Sequence, residues 1–175
     1  MIPMGMKPSR GGWVPRSIRW GVLPIRDAAD VVIVHGMNEH IELINRYYTA
    51  INERRFDDYD ALFAPEATLE GPGGVTGTGA DAMRAFDQVW TNASSDFRIT
   101  PLVQLCVDGK VSSENLVEAT HDGLLRLPSG DLPATGRTFG GRYVGMFEVA
   151  GGRITSQHVY FDRMIVVDQL MSALA

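Results

Sequence analysis

One cysteine in 175 residues leaves nothing to pair with inside the chain, so a disulfide framework is excluded. Cys106 sits in the apolar run LVQLCV and reads as a small core residue rather than a nucleophile. This usage fits a reducing, cytoplasmic compartment. Basic charge is also short: 16 Lys and Arg stand against 21 Asp and Glu, a net −5. No basic stripe is left to neutralise phosphates, which excludes nucleic acid as a partner. The four histidines form no His-x-x-x-His or His-x-His pair, so no metal-ligand spacing exists. Gly73–Gly79 is glycine-rich, but it lacks the lysine of a phosphate loop and the strand–helix frame of a dinucleotide site. No cofactor is expected. No apolar run approaches the length that crosses a bilayer, so no membrane partner is expected either.

What charge there is lies unevenly. Residues 1–36 carry five basic and two acidic side chains, a net +3, which leaves −8 on the rest. Pro3, Pro8, Pro15 and Pro24 interrupt this stretch, and it has no helical or strand period. It reads as a disordered or loosely attached basic extension. Its longest apolar segment, Val31–Val34, is too short for a secretory signal. Met37 looks like a natural domain start, giving one domain over residues 37–175.

From Asn38, a candidate helix cap, the pattern turns regular. Ile41, Ile44, Tyr48 and Ile51 recur at spacings of three and four, one apolar helical stripe with Tyr47 beside it. A short second helix follows from Asp57 through Phe63, stopped by Pro65. Ala67–Glu70 reads as a strand and Gly71–Gly74 as a loop. Thr78 with Asp81 resembles a capping box that opens a third helix through Met83, Phe86, Val89 and Trp90. Beyond Asn92 the period becomes two. Phe97–Val107 and Lys110–Leu127 flank Asp108-Gly109, and Thr138–Val149 and Arg153–Arg163 flank Gly151-Gly152, two hairpin signals. Met164–Leu174 is apolar and fits a strand end or a short helix.

The segment RITSQHVYFD, Arg153–Asp162, carries the chemistry. In a regular strand Ile154, Ser156, His158, Tyr160 and Asp162 share one face, which aligns an imidazole, a phenol and a carboxylate. Facing a cavity, that trio forms an acid–base site; facing water, it is a solvated strand edge. Asp162 could equally cap the turn that follows. His121 and Asp122 point to opposite sides, and the apolar company of Val117, Ala119 and Gly123 favours His121 inward. Glu70 reads as a solvated strand-end carboxylate. Tyr47 and Trp90 suit a pocket wall or core.

The order helix, helix, short strand, helix, long strands resembles the nuclear transport factor 2-like superfamily. LFAPEATLEGPGGVTGTGADAMRAF, LVEATHDGLL, ATGRTF, FEVAGGRITSQHVYFD and VVDQL resemble its SnoaL-like polyketide cyclase and ester cyclase branch. The resemblance covers about Asn38 to Leu170. It implies an α+β cone in which three N-terminal helices pack in a strongly curved, mostly antiparallel sheet around a pocket. It places Asp162 at the branch's general acid/base, with His158 and His121 as further catalytic candidates and Tyr160, Tyr47 and Trp90 as substrate contacts. In the related ketosteroid isomerases the base falls on Gly71, which has no proton-accepting group, and an oxyanion-stabilising tyrosine falls on Tyr47. His121-Asp122-Gly123 stands where the ester cyclases carry His-Thr-Gly. The implied function is cofactor-free acid–base chemistry on a hydrophobic small molecule. The alternative is a non-catalytic ligand-binding or dimerisation module, and a homodimer is expected through Thr138–Val149 and Met164–Leu174.

Overall fold

The computed structural model describes residues 39–127 and 130–171. The basic extension, the cap at Asn38 and the start at Met37 lie outside the described residues. Helix α1 (Glu39–Asn52) buries Leu43, Ile44, Tyr47, Tyr48 and Ile51 as one stripe, the face that its spacing dictates. Helix α2 (Phe56–Asp60) is shorter than expected and ends before Leu62. Strand β1 (Phe63–Gly71) starts earlier than Ala67, runs through Pro65, and turns at Pro72–Gly74 into β2 (Val75–Thr78). Gly73 and Gly74 take φ of 80° and 78°, which a side chain would resist.

Helix α3 (Ala80–Ala93) therefore follows two strands, and the helices are not all N-terminal. Its N-cap is Gly79, at φ 83°, with no side-chain cap bond, so the Thr78–Asp81 capping box does not form. The positive φ at Gly79 sets the entry angle of the helix, and Gly79 also ties back to β1 through its N–H to the Ala67 carbonyl at 2.8 Å.

Strands β3 (Arg98–Val107), β4 (Lys110–Thr120), β7 (Thr138–Ala150) and β8 (Arg153–Tyr160) complete the main sheet. A small separate hairpin pairs β5 (Leu125–Leu127) with β6 (Gly130–Leu132). The sheet is mixed and open, in the order β2-β1-β8-β7-β4-β3, with β1 and β8 the parallel pair. Both predicted hairpin turns are present: Asp108 and Gly109 take φ of 49° and 76°, Gly151 and Gly152 58° and 71°. Two positive φ values in succession match the turn to the twist of its strands.

The expected strand over 110–127 breaks at Thr120. Asp96 accepts hydrogen bonds there from the backbone N–H and hydroxyl of Thr120, at 2.6 and 2.7 Å. A Cβ on Gly123 would lie 2.2 Å from the Asn92 carbonyl oxygen, so only glycine lets the chain cross the end of α3. Met164–Leu174 resolves in favour of a helix, α4 (Arg163–Met171), which covers an end of β7. Strand β8 pairs β7 only as far as Val144, and beyond that point Gln169 bonds both the N–H and the carbonyl of Gly140, at 2.9 and 3.0 Å. One glutamine thus replaces a missing strand at an exposed backbone edge.

Candidate functional site

Phase along β8 decides what faces the interior. Glu148 pairs with Ser156 but Val149 pairs with Ile154, so Thr155 is an extra residue without a partner, a β-bulge. A bulge of one residue exchanges the two faces beyond it. Ile154 points inward, and so do Gln157 and Val159, which line the cavity. His158 and Tyr160 are carried to the outer face. His158 Nδ1 lies 3.4 Å from a Glu70 carboxylate oxygen, and Tyr160 is 56% exposed. The regular alternation expected along Arg153–Asp162 is thus corrected, because the bulge breaks it.

The cavity, of about 130 Å³, lies between α1, α3, α4 and the inner face of the sheet. Phe86 and Trp90 of α3, Phe97, Ile99, Val117, Phe139, Val159, Phe161 and Ile165 give it an apolar wall. Trp90 meets Phe161 edge-on, with ring centroids 5.5 Å apart. Of the residues marked in sequence, Tyr47, Trp90 and Asp162 lie on this wall. Asp162 is exposed at its rim and accepts a 2.8 Å hydrogen bond from the Met164 backbone N–H, capping α4.

His121 is buried, but it is no part of the wall. Its Nδ1 lies 3.0 Å from the Thr135 hydroxyl and accepts from the Thr135 N–H at 3.3 Å. The proton therefore sits on Nε2, which is enclosed without a partner among the described residues. Burial holds the pKa of His121 below its usual value. Asp122, on the other side, binds the backbone N–H of Ser95 at 2.8 Å.

The polar centre of the cavity is a residue that no sequence motif marked, Asp87. It is 7% exposed and stands on the buried stripe of α3, one turn from Met83. Tyr47 donates to its Oδ2 at 3.0 Å and Tyr59 donates to the same oxygen at 2.6 Å. Gln157 Nε2 in turn donates to the Tyr47 hydroxyl at 2.8 Å. That direction follows from the chain of donors: Tyr47 has one proton, given to Asp87, so the amide must face it with N–H. Gln157 Oε1 is left enclosed with no partner among the described residues.

Burial pushes the Asp87 carboxyl up from 3.8 to about 6, and the two tyrosine hydroxyls hold it from rising further. Both tyrosines are raised well above 10, by burial first and by the Asp87 charge second. Proton exchange near neutral pH therefore falls to the carboxyl, not to the phenols. The one sequence signal for this centre was an acidic residue in helical phase with Met83. Among the described residues no group of three His, Cys, Asp or Glu could hold a metal ion.

The model of the SnoaL-like domain matches residues 44–157, well over half of the chain. The chain belongs to the SnoaL-like domain family. No curated protein matches it significantly in sequence. Solved structures show the same fold. A protein from Jannaschia sp. CCS1 described as a SnoaL-like polyketide cyclase is 14% identical, with a TM-score of 0.67 over 75% of this chain and 91% of that one. IdmH from Streptomyces antibioticus, described as a polyketide cyclase, is 21% identical, with a TM-score of 0.65 over 76% and 99%. An LEH-like epoxide hydrolase from M. tuberculosis is 19% identical, with a TM-score of 0.59 over 78% and 92%. Identities this low speak for the fold alone. In this SnoaL-like chain a Cβ on Gly71 would lie 3.0 Å from the Phe86 ring.

Proposed function

We propose that this SnoaL-like protein is a small enzyme of the cytoplasm that performs cofactor-free acid–base chemistry on a hydrophobic molecule in the cavity. The observation that carries the reading is Asp87, a carboxylate walled in by aromatic rings and held on one oxygen by Tyr47 and Tyr59. A carboxyl with a pKa near 6 is roughly nine-tenths ionised at neutral pH and takes up a proton readily, which suits a general base. Asp87 therefore takes the role that the family resemblance assigned to Asp162. Asp162 stands at the rim, where it orders α4 over the cavity.

A positioned base supplies on the order of 10²–10⁴ in rate, so the substrate must already be reactive. Cyclisation, isomerisation, dehydration and epoxide opening meet that condition, and the neighbours' chemistries, polyketide cyclase and epoxide hydrolase, fall in this range. The test is a panel of small apolar epoxides, esters and ketones, incubated with the parent, Asp87→Asn and Asp162→Asn. Turnover lost in Asp87→Asn and largely kept in Asp162→Asn supports the reading. Turnover that survives Asp87→Asn contradicts it.

A second reading, a ligand-binding or dimerisation module, draws on the outer face of the sheet. There Leu105, Met146 and Tyr160 are 56%, 47% and 56% exposed, a surface suited to a second copy of the chain. Sedimentation at several concentrations tests the homodimer, and a monomer throughout removes it.

A further inference from the structure

The proposal about Asp87 leaves open what gives up the proton, and the polar atoms around that carboxylate narrow the choice. The Tyr47 and Tyr59 hydroxyls are both committed to Asp87 Oδ2. Burial holds the Tyr143 phenol well above its ordinary value, so it keeps its proton. One N–H of Gln157 is committed to Tyr47. Asp87 Oδ1 is left over as an acceptor that no described residue hydrogen-bonds, and Gln157 Oε1 is enclosed in a residue only 2% exposed; elsewhere on the wall the second N–H of Gln157, the Tyr143 hydroxyl, the indole N–H of Trp90 and the remaining N–H groups of Arg142 are donors. Arg142, the basic side chain of the lining, is paired with Glu114.

At the carboxylate itself the choice of ligand follows from which protons are already used. Abstraction of a proton next to a carbonyl moves negative charge onto the carbonyl oxygen, and that oxygen needs donors aimed at it. Around Asp87 the tyrosine protons already serve the carboxylate. The free Asp87 Oδ1 instead rewards a ligand that brings its own donor, since a buried acceptor without one costs about 1–3 kcal/mol. Size adds a limit: a dry protein cavity of about 150 Å³ holds benzene, and this one is of similar volume.

Resting on the reading of Asp87 as the working base, we propose that the inner end of the cavity recognises a hydrogen-bond donor, the hydroxyl or amine N–H of an apolar, ring-sized group. The proton that reaches Asp87 then leaves a heteroatom. For a hydroxyl, the O–H bond breaks, a bond forms between that proton and Asp87 Oδ1, and the electron pair stays on the ligand oxygen. That oxygen becomes the nucleophile of the following step, which places cyclisation or addition ahead of C–H isomerisation.

The experiment compares the binding of phenol, anisole and benzaldehyde to the full chain at pH 7.5 by titration calorimetry or NMR. The three share a ring and differ in whether they donate or only accept. Phenol should bind at least tenfold more tightly than the other two. Asp87→Asn should reverse the order: the amide oxygen takes over the tyrosine bonds and its N–H₂ then meets the ligand, favouring benzaldehyde. Should that variant fail to fold, the parent's own ranking still decides. Equal affinities, or a preference for benzaldehyde in the parent, overturn the donor inference and leave the cavity as a binding site. No binding of any of the three overturns the inference together with the reading of the cavity.

Discussion

The Tyr59 hydroxyl donates to Asp87 Oδ2 at 2.6 Å across 28 residues of chain, and Tyr47 donates to the same oxygen from the other side at 3.0 Å. Two phenols on one oxygen fix the carboxylate and leave the other oxygen to the cavity. Helices α1 and α2 supply the phenols and α3 the acid, so the arrangement exists only when all three helices are docked. Rings of Tyr47, Tyr59 and Phe63 pack at centroid distances of 5.0 to 5.9 Å, which keeps the hydroxyls in place.

Stability should fall as pH rises through the window set by Asp87. Its folded carboxyl titrates near 6 against 3.8 as the ordinary value, so between these the folded state holds the extra proton. The slope of unfolding free energy with pH is then negative, and the full cost, on the order of 3 kcal/mol, is present above about pH 6.5. Asp87→Asn should match or exceed the parent in urea unfolding at pH 7.5. The difference should shrink as pH falls from 6 to 4. A variant that is weaker by ~2 kcal/mol or more at pH 7.5 would show Asp87 to be a structural anchor.

Gly71→Ala should narrow the cavity with only a modest loss of stability. The added Cβ meets the Phe86 ring at 3.0 Å, and that ring forms part of the cavity wall. Displacing it costs about 1 kcal/mol as an overpacking effect. Phenol affinity measured by NMR should drop several-fold while the melting temperature moves little. Unchanged affinity would place Phe86 outside the ligand's reach.

Gln169→Ala should release α4. Its side chain satisfies both backbone groups of Gly140, and Ile165 and Val166 of the same helix line the cavity. Loss of two hydrogen bonds to a backbone edge costs about 1–3 kcal/mol locally. Hydrogen exchange should accelerate in α4 with the central strands β4 and β7 still protected. Uniform acceleration would instead tie α4 to global unfolding.

Much of the fold was legible in local signals. The stripe of α1, the two glycine-bearing hairpin turns and the apolar tail of α4 each follow from residues within a few positions of one another. The site was less so. The residues from Arg153 to Asp162 predict an unbroken alternation, and the bulge at Thr155, which depends on pairing with β7, exchanges the faces. That moved Gln157 in and His158 and Tyr160 out. The break at Thr120 likewise comes from Asp96, a partner 24 residues away. In sequence nothing sets Asp87 apart from other polar residues of its helix, and only Tyr47 and Tyr59, at 40 and 28 residues' separation, give it its meaning.

The most direct test of the account is a ¹³C NMR titration of the Asp87 carboxyl in the parent and in Tyr59→Phe. The parent should titrate near pH 6, and the variant, deprived of one hydroxyl that favours the charged form, should titrate higher. An Asp87 carboxyl that titrates near 4 in the parent and does not respond to Tyr59→Phe would contradict the account at its centre.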